Sequence, residues 1–138
     1  MSFRCWNQNS AISVSSRPFS ALAALADCLK QQPEFAPALV LRGQILLQQR
    51  KVDEAVESLN TALQFSPENA DAHFTLGRAL DQRGALLGAM AAYQAAVKYA
   101  PDNPAAHQAL AAVYRRLGKV AEAQAEEQAA AQLLPKAN

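Results

Sequence analysis

The chain has 138 residues, a formal net charge of +1 at pH 7 and a 51% hydrophobic fraction, which excludes a disordered chain and allows one domain with a buried core. A net charge near zero creates no long-range electrostatic attraction to nucleic acid or to an anionic membrane, so we predict neither as a partner. Alanine supplies much of the apolar fraction, and aromatic residues make up only 7% of the chain, a composition that favours closely packed helices.

The first predicted segment, residues 1–19, is a flexible tail without a helical period. It lacks the continuous apolar core of a secretory signal, and no apolar run in the chain approaches the roughly 20 residues of a membrane span. Arg4, Arg17, several serines and the absence of any acidic residue before Asp27 resemble a mitochondrial presequence. Because this segment has only two arginines, we predict a bacterial, cytoplasmic protein, with the mitochondrial matrix as the alternative if residues 1–19 are a presequence.

A repeat of 34 residues runs through the rest of the sequence. Prolines recur at this offset, as Pro33, Pro67, Pro101 and Pro135. Small residues recur at the same offset in three sets: Gly43, Gly77 and Ala111; Ala55, Ala89 and Ala123; and Ala62, Ala96 and Ala130. So many matches at one offset indicate a stacked structural repeat.

Helical signals within the repeat predict seven helices, at residues 20–31, 37–49, 53–65, 70–83, 86–100, 104–117 and 120–134. Asn69 and Asn103 are predicted N-caps, and Asp53 is a third. Gly84 and Gly118 follow the first helix of their repeats, where a helix stop favours glycine.

These residues resemble the tetratricopeptide-repeat (TPR) family, whose unit is a 34-residue helix–turn–helix. The family pattern is carried best by the second repeat, with Leu76, Gly77, Ala89, Tyr93, Ala96 and Pro101. The resemblance implies an all-α fold, a right-handed α-solenoid of stacked helix–turn–helix TPR repeats. It divides the chain into the tail at 1–19, a capping helix from a partial repeat at 20–35, and TPR repeats one to three at 36–69, 70–103 and 104–138.

Two departures from the family pattern affect the predicted packing. Arg42 stands where the other repeats have leucine, which weakens the helical pattern of the first repeat. Glu127 replaces the aromatic residue found at Tyr93 and makes the last helix polar, as expected for the end of an array. In the regular second repeat, Gly77 is expected to admit the second helix opposite Ala89, and Tyr93 to wedge between successive repeats.

No catalytic residue, metal site or cofactor is predicted. His73 and His107 hold equivalent repeat positions, too far apart to share an ion, and we interpret both as structural. Cys5 and Cys28 lack metal or redox spacing and are interpreted as reduced thiols. The acidic residues of the last helix are interpreted as a solvated face: Glu122, Glu126 and Glu127.

The resemblance implies a concave groove lined by the first helix of each repeat, in which a protein or peptide partner lies. The implied groove residues are Val40, Gln44, Leu47, Gln48, Phe74, Arg78, Asp81, Gln82, Gln108, Ala112, Arg115 and Arg116. Arginine has the forked donors that bind carboxylates, which makes an acidic or C-terminal peptide one candidate partner. The alternative is that Arg78 pairs with Asp81 and that Arg115 and Arg116 are only solvated.

The leading functional prediction is a protein–protein interaction scaffold or adaptor that is not an enzyme. A small TPR-type secretion chaperone is one alternative, because Val40, Leu47 and Phe74 make one end of the groove apolar. An N-terminal module of a larger enzyme is another. The partial repeat also predicts an open N-terminal edge, through which weak self-association is an additional option.

Overall fold

A computed structural model of the protein describes residues 18–32 and 35–134, and all regular secondary structure in these ranges is α-helical. The helices are α1 (Pro18–Gln31), α2 (Ala36–Gln48), α3 (Val52–Phe65), α4 (Ala70–Arg83), α5 (Leu86–Tyr99), α6 (Pro104–Arg116) and α7 (Val120–Leu133). All seven predicted helices are confirmed, with ends that differ by at most two residues. Helix α1 begins inside the predicted tail, and residues 1–17 of that tail lie outside the described residues.

The chain divides into two compact units. The first unit ends at Pro67 and contains α1, α2 and α3, and the second begins at Glu68 and contains α4 to α7. The division falls at the turn between the first and second predicted repeats. Among the described helices, none combines the length and the apolar character needed to cross a membrane.

Asparagine side chains cap the N-terminal ends of two helices in the second unit, α4 and α6. The side chain of Asn69 accepts the backbone N–H of the residue three positions later (3.1 Å), and that of Asn103 the N–H two positions later (3.0 Å). Both predicted N-caps are therefore confirmed. The predicted cap at Asp53 is wrong, because α3 begins at Val52 and Asp53 lies in its first turn. A carboxylate is still favourable there, close to the positive end of the helix dipole.

One repeat position has left-handed backbone in all three repeats. Gly84 and Gly118 have φ angles of +85° and +80°, as predicted for helix stops, and Arg50, 34 residues before Gly84, has a φ of +65°. For a residue with a Cβ atom this conformation costs about 1–2 kcal/mol. Arg50 was not predicted as a helix stop, although the repeat offset that aligns the two glycines also reaches it.

Helix α2 is buried on most sides because it packs against both α1 and α3. Leu25 of α1 forms a buried cluster with Ala38 and Ile45 of α2, and Ser58 of α3 donates a hydrogen bond to the backbone carbonyl of Leu39 (2.9 Å). A helix buried nearly all round can form despite an irregular surface pattern. This explains why the first repeat is fully helical in spite of the substitution at its leucine position.

Two side chains that the sequence singled out, Arg42 and Cys28, lie in the first unit. Arg42 is exposed at the rim of an open cavity of about 430 Å³ between α2 and α3, so it replaces a leucine without being buried. Cys28 is buried, with 2% of its surface exposed, and it is disulfide-bonded. The interpretation of Cys28 as a reduced thiol is therefore wrong, and Cys5 lies outside the described residues.

The core of the second unit is centred on Tyr93, which is 2% exposed. It belongs to a buried cluster drawn from α5, α6 and α7: Ala89, Tyr93, Leu110, Ala111, Val113, Tyr114 and Ala123. The predicted role of Tyr93 as a wedge between the second and third repeats is confirmed. A Cβ atom added to Gly77 would lie 2.6 Å from the ring of Tyr93. The nearest neighbour of this glycine is therefore Tyr93, and not Ala89 as predicted.

Candidate partner-binding face

Eight of the twelve predicted groove residues lie on one side of α4 or α6, within the second unit. On each helix they are spaced so that they share one face. We call these residues the α4–α6 face: Phe74, Arg78, Asp81, Gln82, Gln108, Ala112, Arg115 and Arg116. All are exposed except Phe74 and Asp81, which are half-buried. Phe74 contacts the core through a tilted ring contact with Tyr93, with the ring centroids 5.7 Å apart.

Two ion pairs hold the arginines of α6. Arg116 pairs with Asp81 of α4, so the C-terminal ends of α4 and α6 lie close to each other. Arg115 makes a two-pronged pair with Glu127 of α7, from Nε to Oε1 (2.6 Å) and from an η nitrogen to Oε2 (2.8 Å). The hydrogen bond from Arg115 lowers the pKa of Glu127, as expected for a carboxylate stabilised in its charged form.

These pairs overturn two expectations from the sequence. Asp81 pairs with Arg116 on the neighbouring helix and not with Arg78 on its own, and neither Arg115 nor Arg116 is merely solvated. Among the described residues, Arg78 forms no ion pair, and it is exposed. Arg78 is therefore the arginine of the α4–α6 face whose donors are available without the loss of an internal contact.

The buried phenol of Tyr93 lies within the electrostatic reach of this face. Its pKa is raised to about 12, first by burial and then by the negative charge of Asp81, while the positive charge of Arg78 opposes the shift. Tyr93 is therefore neutral over the physiological range. It supports the face as a packing residue and supplies no charge to it.

His107 has a structural role, as predicted. It is 7% exposed, and its Nδ1 lies 2.5 Å from Oε2 of Glu126 while its Nε2 lies 2.8 Å from the backbone carbonyl oxygen of Pro101. Both ring nitrogens donate to these acceptors when the ring is protonated. Burial is the largest single effect and lowers the pKa of His107, but the hydrogen bonds and the charge of Glu126 together outweigh it, so that the net shift is upward.

The remaining polar groups also have structural explanations. His73 stacks on Tyr99 with the ring centroids 5.6 Å apart, so its interpretation as structural is confirmed. The interpretation of the α7 acids as a solvated face is wrong for Glu126 and Glu127, which bind His107 and Arg115. Within the described ranges, no group of three or more His, Cys, Asp or Glu side chains is placed to hold a metal ion.

The other four predicted groove residues belong to α2 in the first unit. Val40 and Leu47 are buried, at 6% and 2% exposed, Gln44 is half-buried, and Gln48 is exposed. Because α2 packs against helices on both sides, its apolar side chains are used in the core. The apolar end of the predicted groove is therefore not available on the surface of this unit.

The acids that pair with Arg115 and Arg116 could not be identified from the repeat pattern. Glu127 was recognised only as a departure from the family pattern, and Asp81 was assigned to a partner on its own helix. Their partners lie 12 and 35 residues away, on neighbouring helices. A period of 34 residues aligns equivalent positions but does not show which side chains meet between helices.

The all-helical repeats and an exposed polar helix face define a helical-repeat interaction scaffold. The TPR-repeat family model matches residues 43–84 and, overlapping them, residues 77–118, which together make up more than half of the chain. The chain therefore belongs to the TPR family. This membership confirms the family resemblance and makes other proteins, including further copies of the chain, the expected class of partner.

Solved structures of MamA are similar to the chain in fold. A crystal structure of MamA has a TM-score of 0.85 at 20% identity and covers 96% of this chain and 77% of that one. A MamA RS-1 double mutant has a TM-score of 0.84 at 23% identity and covers 96% of this chain and 74% of that one. MamA from Desulfovibrio magneticus RS-1 has a TM-score of 0.82 at 22% identity and covers 96% of this chain and 75% of that one. At these identities the similarity establishes the fold alone. No curated protein sequence matches the chain significantly.

Proposed function

We propose that the protein is a non-catalytic scaffold that binds an acidic segment of a partner protein on the α4–α6 face. The observations that support this proposal are three exposed arginines, Arg78 on α4 and Arg115 and Arg116 on α6, and the Arg116–Asp81 pair that links these two helices. Guanidinium groups bind carboxylates through paired hydrogen bonds, and an extended peptide can contact several in succession.

The composition of the face favours a polar peptide over an unfolded apolar client. Phe74 is its one large apolar side chain, and it is half-buried against Tyr93. Val40 and Leu47, which favoured the secretion-chaperone alternative, are core residues of the first unit. We therefore place the proposed binding site at the arginines and leave out the apolar end of the predicted groove.

The proposal is tested by selecting binders from a displayed library of random peptides against the wild-type protein. We expect enrichment of peptides with several acidic residues, and we expect Arg78→Glu to lose them. Arg78 is the best position for the test because its replacement breaks no ion pair among the described residues. Binding of the selected peptides is then measured by fluorescence anisotropy at physiological salt.

Lys119→Glu is the matched control. Lys119 is exposed at the start of α7, outside the α4–α6 face, and the substitution changes the net charge by the same amount. If both variants lose the peptides equally, binding follows the overall charge and not this face. If Arg78→Glu keeps the same peptides at the same affinity, the proposed site is wrong.

We also propose weak self-association through the N-terminal edge, which α1 forms. On the part of α1 whose side chains are described, the exposed residues are small or polar: Ala23, Ala26, Asp27, Lys30 and Gln31. Asp27 and Lys30 also lie 4.0 Å apart as an exposed ion pair. Light scattering at increasing protein concentration measures the association, and Ala26→Arg should abolish it if α1 is the contact.

A further inference from the structure

The two arginines of α6 differ from Arg78 in that each already has an acidic partner. Arg116 is held by Asp81 from α4, and Arg115 is held by Glu127 from α7. The positive charge of the three arginines is thus partly neutralised by two acids, which belong to different helices. An acidic ligand that approaches this surface meets one available arginine and two that are occupied.

Both of these ion pairs are exposed to solvent, so a ligand can reach their charged groups. The side chains are 52% and 33% exposed in the Arg116–Asp81 pair, and 48% and 43% exposed in the Arg115–Glu127 pair. Exposed pairs of this kind contribute little to stability and compete with water and salt. The His107–Glu126 pair, at 9% and 23%, is far less exposed, and its ring also binds a backbone carbonyl, so it belongs to the fold.

We propose that Asp81 and Glu127 are internal competitors, which occupy Arg116 and Arg115 in the unbound protein and admit only ligands with several closely spaced carboxylates. This inference rests on the proposed function of the α4–α6 face. A ligand with one carboxylate engages Arg78 alone. A ligand with several replaces both internal acids in one event, so that each broken pair is exchanged for a new one.

The released acids also make the face selective. Once displaced, Asp81 and Glu127 remain beside the bound ligand and repel it, because α4 and α7 hold them close to the arginines. Affinity for an acidic ligand is therefore lower than three arginines alone would provide. Removal of either acid should raise the affinity and should also weaken the preference for multiply charged ligands.

The experiment measures the binding of fluorescein-labelled hexaglutamate by anisotropy, with a peptide of one glutamate and five glutamines for comparison. We expect Asp81→Asn and Glu127→Gln each to tighten the binding of hexaglutamate by about two- to fivefold, the range that exposed ion pairs support. The relative gain for the singly charged peptide should be larger. Glu122→Gln removes the same charge from α7 without freeing an arginine and should change the affinity little.

A double-mutant cycle assigns the gain to the pair. The effect of Asp81→Asn should disappear in an Arg116→Gln background, because no arginine is then freed. If hexaglutamate binds the wild type through Arg78 but neither acid variant binds more tightly, this inference is wrong and the proposed function stands. If even the Asp81→Asn, Glu127→Gln double variant fails to bind hexaglutamate, both are wrong. Circular dichroism of each variant confirms that it is folded.

Discussion

Replacing Gly77 with alanine tests the packing on which the second unit depends. An added Cβ atom would lie 2.6 Å from two ring carbons of Tyr93, closer than such atoms approach in real structures. The ring cannot swing aside, because Tyr93 is 2% exposed within the cluster formed by α5, α6 and α7. Helix α4 must therefore shift away from the ring by about 1 Å, and overpacking of a well-packed core costs about 1–3 kcal/mol.

The sign of the effect is informative because helix propensity acts in the opposite direction. In a helix interior, glycine to alanine stabilises by about 0.5–1 kcal/mol when nothing opposes the new methyl group. We therefore expect Gly77→Ala to lower the free energy of unfolding by about 1–2 kcal/mol. Urea denaturation followed by circular dichroism measures it, with the slope of the transition checked for a change in the unfolding mechanism.

Gly88→Ala is the control within the same unit. Its added Cβ atom would lie 3.2 Å from Cδ1 of Leu80, the tip of a flexible side chain that can adjust. We expect this variant to be neutral or slightly more stable than the wild type. A Gly77→Ala variant that is more stable than the wild type would refute the packing argument. The loss caused by Gly77→Ala should be smaller in a Tyr93→Leu background than in the wild type, since the ring is the group that the methyl meets.

Two further predictions follow from the backbone and from the histidine. Arg50→Gly should stabilise the protein by about 1 kcal/mol, since Arg50 has a φ of +65° where the other repeats have glycine. Urea denaturation measures this gain in the free energy of unfolding. Gly84→Ala is the control: the added methyl group would meet open space, so the strained backbone alone should make this variant less stable. His107 has a folded pKa raised above its ordinary 6.5, so its contribution to stability should be complete below 6.5 and be lost as the pH rises through the folded value. NMR titration gives the pKa directly, and urea denaturation across this range should show a decline that His107→Gln lacks; a measured pKa below 6.5 would contradict the argument.

The sequence predicted those features that depend on local chemistry or on the repeat. Helix ends were predictable because Asn69, Asn103 and Gly84 act on backbone groups within a few residues of themselves. The wedge at Tyr93 was predictable because the family pattern preserves it. The repeat offset also leads from Gly84 back to Arg50. It was not predicted because the feature that recurs at this position is the left-handed backbone conformation and not the residue type.

The candidate site was predicted less well, because it depends on side chains that meet between helices. The helical period places Arg78 on the exposed side of α4, and Arg115 and Arg116 on the exposed side of α6. It does not reveal that Arg116 crosses to Asp81, or that Arg115 crosses to α7. Likewise, the burial of Val40 follows from α2 packing on both sides, which the pattern of the helix alone does not show.

The departure of the third repeat from the family pattern connects the packing to the candidate site. In the second repeat a glycine at position 77 accommodates the ring of Tyr93, whereas the third repeat has Ala111 and Glu127 at the equivalent positions. Without an aromatic ring to accommodate, the methyl group of Ala111 is tolerated in the core at 2% exposed. The carboxylate of Glu127 instead lies at the surface, where it binds Arg115. The substitution that removes the wedge from α7 thus supplies one of the two acids that we propose control the α4–α6 face.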